Sequence, residues 1–305
     1  MLNLMQKNRI RLSKLFLFFS LLAFFAMSDI VFAKETIFVS IPPQKFFVEQ
    51  IAGDLFDVEI LVGAGMSPHA FEPLPRQMAS LGRARAFMAI GLPFEQALLA
   101  RIVDLFPQLK IIRTDQGITR RRMATSEETS NHVHHEGCDH GVGAEDPHIW
   151  LDPMNAKIMA ENITNALSEL FPETESTFRQ NCKAFARELD SLTEHVKLIL
   201  QPFAGQAIIV FHPAFGYFTD RFGLRQRAIE IEGKEPTPRQ MVSLIRQAKA
   251  ENIRVIFVQQ QFSTRAAQTI ADSISGAVVA IDPLAEDYLG NLRIIAQKIY
   301  HGLNK

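Results

Sequence analysis

Cysteine is scarce in this chain of 305 residues: Cys138 and Cys182 are the only two. That excludes a small disulfide-stapled scaffold. A charge excess of one sign is missing too. Lys and Arg number 32 against 33 Asp and Glu, a formal net charge of −1, so no overall basic field exists to hold nucleic acid. Nor does the chain have the low hydrophobicity and high net charge of a disordered sequence, since 47% of it is hydrophobic and 21% charged. No apolar run reaches the roughly 20 residues that span a bilayer. The length suits two domains at roughly 100–200 residues each.

The N-terminus reads as an address. Lys7, Arg9, Arg11 and Lys14 precede an apolar run from Leu15 to Met27, broken only by Ser20, and Val31-Phe32-Ala33 offers a small-residue exit. A charged region, an apolar core and a V-x-A exit describe a secretory signal peptide over 1–33, cut after Ala33. The mature chain then carries a net −4, and it is expected to be soluble in a bacterial periplasm. No cysteine stands near the cut, so lipid anchoring is not expected.

After residue 34 the pattern alternates. A short β-branched run at 36–41 and strand-like runs at 57–62, 85–90 and 109–113 are separated by helical stretches at 75–83 and 93–105 and one after Pro42-Pro43. Such alternation implies βαβ units and a parallel sheet. It breaks at 120–145, a polar stretch where His132, His134, His135 and His140 lie within nine residues, and resumes with a helix over 155–171. A longer helix over about 174–200 repeats apolar residues at Phe178, Cys182, Phe185, Leu189, Leu192, Val196 and Ile199, a single stripe. Strands at 207–211, 253–258 and 277–281 follow, with helices at 238–250, 263–275 and 288–302. The expectation is an α/β protein: an N-terminal lobe over 34–172 containing the His-rich loop, a linking helix over 173–203, and a C-terminal lobe over 204–305. Each lobe would carry a parallel sheet flanked by helices.

Three histidines stand beside prolines near strand ends: His69 in GMSPHAFEP, His148 in AEDPHIWLDP and His212 in VFHPAFGYF. Asp282, before Pro283, directly follows the last strand. In open α/β sheets ligand groups gather at the carboxyl ends of strands, which would bring two groups from each lobe to one cleft. Three imidazoles and a carboxylate suit tetrahedral Zn²⁺, whereas Mn²⁺ wants more oxygen. Four protein ligands also close the sphere that catalytic zinc leaves open. Taken singly, each histidine also reads as a loop residue, and Asp-Pro opens turns. A zinc-dependent hydrolase would need an acid or base beside the ion. No HExxH is present, and nothing in the sequence ties the unassigned acids Glu230 and Glu232 to a site.

At these residues the chain resembles the metal-binding solute receptors of bacterial ABC importers, in particular the zinc-uptake, ZnuA-like branch. The resemblance rests on SIPPQKFFVEQIAGD (40–54), LVGAGMSPHAFEP (61–73), AIGLPFEQAL (89–98), DPHIWLDPMNAKIMAENI (146–163), FHPAFGYF (211–218), GKEPTPRQM (233–241) and IDPLAEDY (281–288), in that order. It implies two lobes joined by one rigid helix, with His69, His148, His212 and Asp282 as metal ligands. It also implies high-affinity zinc capture, delivery to a cognate ABC membrane permease, and no enzymatic activity; a monomer is expected. The manganese and iron branch, the alternative receptor reading, usually has an acid where His212 stands. Some zinc members use water, or an acid near the first histidine, in place of the last carboxylate, and Glu72 is such an acid. The loop histidines His132, His134, His135 and His140 would form an auxiliary metal site. A Cys138–Cys182 pair is open, and a surface adhesin of the same family is a further reading.

Overall fold

The protein is described as a computed structural model covering residues 34–123, 145–230, 235–262 and 264–304. The expected signal peptide, the four loop histidines, Cys138 and Glu232 lie outside the described residues. Cys182 is a free, buried thiol.

The first lobe runs β1 (Glu35–Val39), α1 (Pro42–Ala52), β2 (Phe56–Ile60), α2 (Pro75–Leu81), β3 (Ala86–Ala89), α3 (Pro93–Leu105) and β4 (Lys110–Arg113). Two helices follow, α4 (Pro153–Leu170) and α5 (Glu175–Leu200). The second lobe runs β5 (Ala207–Val210), α6 (Gly216–Arg221), β6 (Arg225–Ala228), α7 (Pro238–Ala250), β7 (Val255–Val258), α8 (Arg265–Ser273), β8 (Ala277–Ala280) and α9 (Tyr288–Leu303). Both sheets are four-stranded and parallel throughout, in the orders β2-β1-β3-β4 and β6-β5-β7-β8. The same winding is thus used twice. In each sheet the strand order reverses at the first strand, so a crevice opens beyond β1 and beyond β5. Five helices (α1, α2, α3, α4 and α7) open on a proline, which lacks the N–H that a first helical turn leaves unpaired and has φ already set.

Strand alternation divides the interior. In β5 and beyond, Ile208 and Val210 face the larger core while Ala207, Ile209 and Phe211 face a smaller one; in β7, Val255 and Phe257 are set against Ile256 and Val258. The larger core also takes in β1, β3, α1, α4, α5 and α9. Helix α5 lies in its middle, packed on α1, α4 and α9. Its 26 residues extend about 39 Å at 1.5 Å per residue. Phe178, Cys182, Phe185, Leu189, Leu192, Val196 and Leu200 are its buried stripe. The expected last member, Ile199, is only half-buried, because Leu200 continues the four-residue step from Val196. Truncating Leu189 or Leu192, both fully buried, would cost about 2–5 kcal/mol.

Two elements carry no sequence pattern. Strand β6 reads Arg-Gln-Arg-Ala and is a sheet edge, half-exposed, so it needs no apolar alternation. Helix α6 has six residues, too few for a period to show.

Candidate metal centre

His69 lies on a 3₁₀ turn, Pro68–Ala70, reached from β2 through a loop in which Gly65 has φ +76°. Ser67 Oγ accepts the His69 N–H at 3.3 Å. His148 enters another 3₁₀ turn, Ile149–Leu151, whose continuation is α4, capped by Asp152. His212 stands two residues past β5, at the crevice of the second sheet. Its backbone N–H donates to Gln259 Oε1 at 3.1 Å, and Gln259 Nε2 donates back to its carbonyl at 2.7 Å.

These three side chains meet. His69 Nε2 and His212 Nε2 each lie 3.3 Å from His148 Nε2, and the three donor atoms are all within 4.8 Å of one another. With zinc–nitrogen bonds of 2.0–2.1 Å, neighbouring donors of a tetrahedron stand about 3.3–3.4 Å apart. The two close spacings match that edge.

The outer nitrogens decide which way the lone pairs point. His148 Nδ1 is 2.7 Å from Asp146 Oδ1, and His212 Nδ1 is 2.9 Å from Glu230 Oε2. A carboxylate only accepts, so both Nδ1 atoms carry the proton and both Nε2 lone pairs face the shared space. A carboxylate behind a histidine is the usual support of a metal-binding imidazole, fixing its tautomer and ring orientation. His69 has no such partner among the described residues. His148 and His212 are 4% and 6% exposed, and His69 is the more open of the three.

Burial pushes the His212 imidazole below its usual pKa; Glu230 opposes this and the neighbouring His148 adds to it. Burial, then His148 and His212, push His69 down to about 3. Asp146 is fully buried. Burial alone would raise its carboxyl, but hydrogen bonds from His148 and Arg121 win and hold it below the ordinary value. At His69 and His212 these shifts favour the neutral imidazole, the form that binds a metal.

The support reaches across the lobes. Arg121 donates from Nη1 to Asp146 Oδ2 and from Nε to Asp220 Oδ2 of α6, both at 2.9 Å. Its backbone N–H donates to Tyr217 Oη, which donates to the Asp146 carbonyl. A Cβ at Gly216 would meet the Arg121 guanidinium, so a side chain there would have to push it from its place beside Asp146. Arg221 of α6 also grips Asp152 through two nitrogens, at 2.8 and 2.7 Å. Trp150 is fully buried and walls the cavity, donating from Nε1 to Pro283 O at 2.7 Å, while Tyr288 Oη donates to the Trp150 carbonyl. Phe262 stacks on His212 at 4.9 Å.

Asp282 does not join the histidines. Its Oδ1 accepts the Leu284 N–H at 2.9 Å and its carbonyl accepts from Asn291; it opens a turn, the other meaning of Asp-Pro. Glu72 is exposed and also outside the group. His195 and His301 are exposed. Glu230, which nothing in the sequence tied to the site, is 18 residues from His212 and touches it.

A family model described as the periplasmic zinc-uptake complex component A, ZnuA, matches residues 37–302. The chain belongs to the ZnuA family. The high-affinity zinc uptake system protein ZnuA of Brucella abortus is 26% identical over 306 residues, spanning 90% of this chain and 92% of that one. A candidate metal-binding protein of Chlamydia trachomatis is 30% identical over 281 residues, spanning 92% and 96%. A crystal structure of ZnuA superposes with a TM-score of 0.80 at 39% identity, spanning 88% of this chain and 99% of that one. The ZnuA family consists of substrate-binding receptors for zinc uptake, and a three-imidazole cluster is compatible chemistry for that ion.

Proposed function

We propose that this chain captures Zn²⁺ between its lobes in the periplasm and delivers it to the membrane permease of an ABC importer. His69, His148 and His212 are the ligands in this reading. The lobes are 34–172 and 204–305, and 173–203 links them. The observation that carries it is the pair of 3.3 Å spacings between three Nε2 atoms, two of them aimed inward by buried carboxylates.

The all-nitrogen donor set favours zinc over manganese or magnesium, which prefer oxygen. Among the described residues hydrolysis finds no support, because the carboxylates that touch the cluster, Asp146 and Glu230, are both engaged by histidine Nδ1 atoms. The test is metal content by mass spectrometry of protein purified without chelator, followed by zinc titration of the stripped chain. One tightly held zinc per chain is expected. Metal-free protein whose titration shows no saturable site would refute the reading.

A further inference from the structure

Buried side-chain oxygens without a hydrogen-bond partner are few among the described residues: Ser168 Oγ, Gln247 Oε1 and Gln261 Oε1. Of these residues, only Gln261 lines the cavity that holds His69, His148 and His212. A buried acceptor with no donor costs stability, and in a native fold it calls for a ligand or a water. Gln259, the same residue type two positions earlier, shows what satisfaction looks like here, for its amide both gives to and takes from the His212 backbone. Gln261, whose side-chain oxygen has no such partner, lines the same cavity as His148 and His212, whose Nε2 atoms present lone pairs there. Among the described residues nothing supplies the missing donor.

We propose that Gln261 governs the fourth coordination position: its side-chain oxygen accepts a hydrogen bond from the water that completes the tetrahedron around the ion held by the three histidines. This rests on the zinc reading above. A zinc-bound water is a strong donor that an amide oxygen can take without bringing charge. The loaded centre then stays at +2, where ligation by Asp282 would make it +1. Asp282 is also already engaged by the Leu284 N–H. A water in the fourth place is exchangeable, so a donor from the permease could enter there without first displacing a protein side chain.

Gln261→Leu keeps approximate size and removes the acceptor. The metal-free variant should melt at the same temperature as the parent or higher, because an orphaned polar atom is gone. Its zinc affinity, measured against a competing chelator, should fall about tenfold with one site retained. In the cobalt-loaded form, the visible spectrum and the pH at which the bound water deprotonates should both shift. Gln261→Glu retains an oxygen acceptor and should bind zinc at least as tightly as the parent, and Asp282→Asn should stay within about twofold. An unchanged affinity and cobalt spectrum in Gln261→Leu would overturn the proposal. So would a metal-free form melting well below the parent, since the oxygen would then have a protein donor, or an Asp282→Asn variant that moves affinity and spectrum instead. His212→Ala separates the two levels: if it keeps full zinc affinity, the zinc reading itself fails, whereas its loss of zinc beside a neutral Gln261→Leu defeats only this inference.

Discussion

His148 and His212 are held from behind, and His69 is not. The first two are almost fully buried, each with a carboxylate on Nδ1 and with its backbone N–H bound to a side chain, Asp146 for one and Gln259 for the other. Among the described residues His69 has only the 3.3 Å Ser67 contact behind it, to its backbone, and it stands on a short turn after a glycine-bearing loop. The cluster therefore joins a preset pair, two histidines fixed from behind, to one carried on a loop with fewer side-chain hydrogen bonds. The difference teaches that ring orientation is set from behind at two of the three histidines; in the proposed zinc reading that pair would fix where the ion sits, and His69 would complete its shell.

The largest expected effect follows from removing a member of the preset pair. His212→Ala or His148→Ala should abolish tight zinc binding in calorimetry, a loss well beyond the 10–100-fold typical of an outer partner. His69→Ala should lose less. Equal losses at all three positions would erase the asymmetry. His212→Glu should move preference towards Mn²⁺, as oxygen replaces nitrogen; an unchanged zinc margin would contradict the donor argument.

Next in size are the supports. Glu230→Gln and Asp146→Asn should each weaken zinc binding about 10–100-fold, while Ser67→Ala, behind the unsupported histidine, should change it less than about threefold. Calorimetry on the three variants decides, and a Ser67→Ala effect as large as Glu230→Gln would break the comparison.

Much of this was legible in the sequence, for identifiable reasons. Helix α5 announced itself because one face is buried along its whole length, so the 3.6-residue period had no interruption. The three histidines could be found because each stands beside a proline, but only His212 follows a strand directly; His69 and His148 belong to short 3₁₀ turns. Asp146 was within reach of inference, two residues before His148. Glu230 and Gln261 were not, because their relation to the cluster is made by folding β5, β6 and β7 side by side. Asp282 shows the converse: the Asp-Pro pattern that suggested a ligand is satisfied locally by the Leu284 N–H.

A smaller effect concerns pH. In the folded, metal-free chain burial lowers both His69 and His212 from the ordinary histidine value, His69 to about 3. The unfolded chain protonates them near 6.5. The unfolded state thus binds more protons below that pH, and stability falls as pH drops. The denaturation midpoint of stripped protein should be lower at pH 5 than at pH 7.5, and His69→Asn should flatten that slope. The same shifts protect the site from protons. Zinc affinity should decline below pH 6.5 more gently than the roughly thousandfold per unit expected of three ordinary imidazoles. A midpoint flat from pH 7.5 to 5, or the full thousandfold slope, would count against the neutral site.

The smallest effect is expected from the polar insertion. A variant lacking residues 125–143 should fold and keep tight zinc binding within a few-fold, because a sequence with so few apolar side chains has little to bury. Calorimetry that finds the tight site gone would mean that the insertion supplies a primary ligand.

The central claim is a single ion held by three imidazole nitrogens. X-ray absorption at the zinc edge of the fully loaded chain tests it most directly. The account predicts one zinc per chain in a four-coordinate shell of nitrogen and oxygen, with zinc–nitrogen distances near 2.0–2.1 Å and the multiple scattering of three imidazoles. A six-coordinate oxygen shell, a sulfur neighbour near 2.3 Å, or scattering from a single imidazole would contradict it.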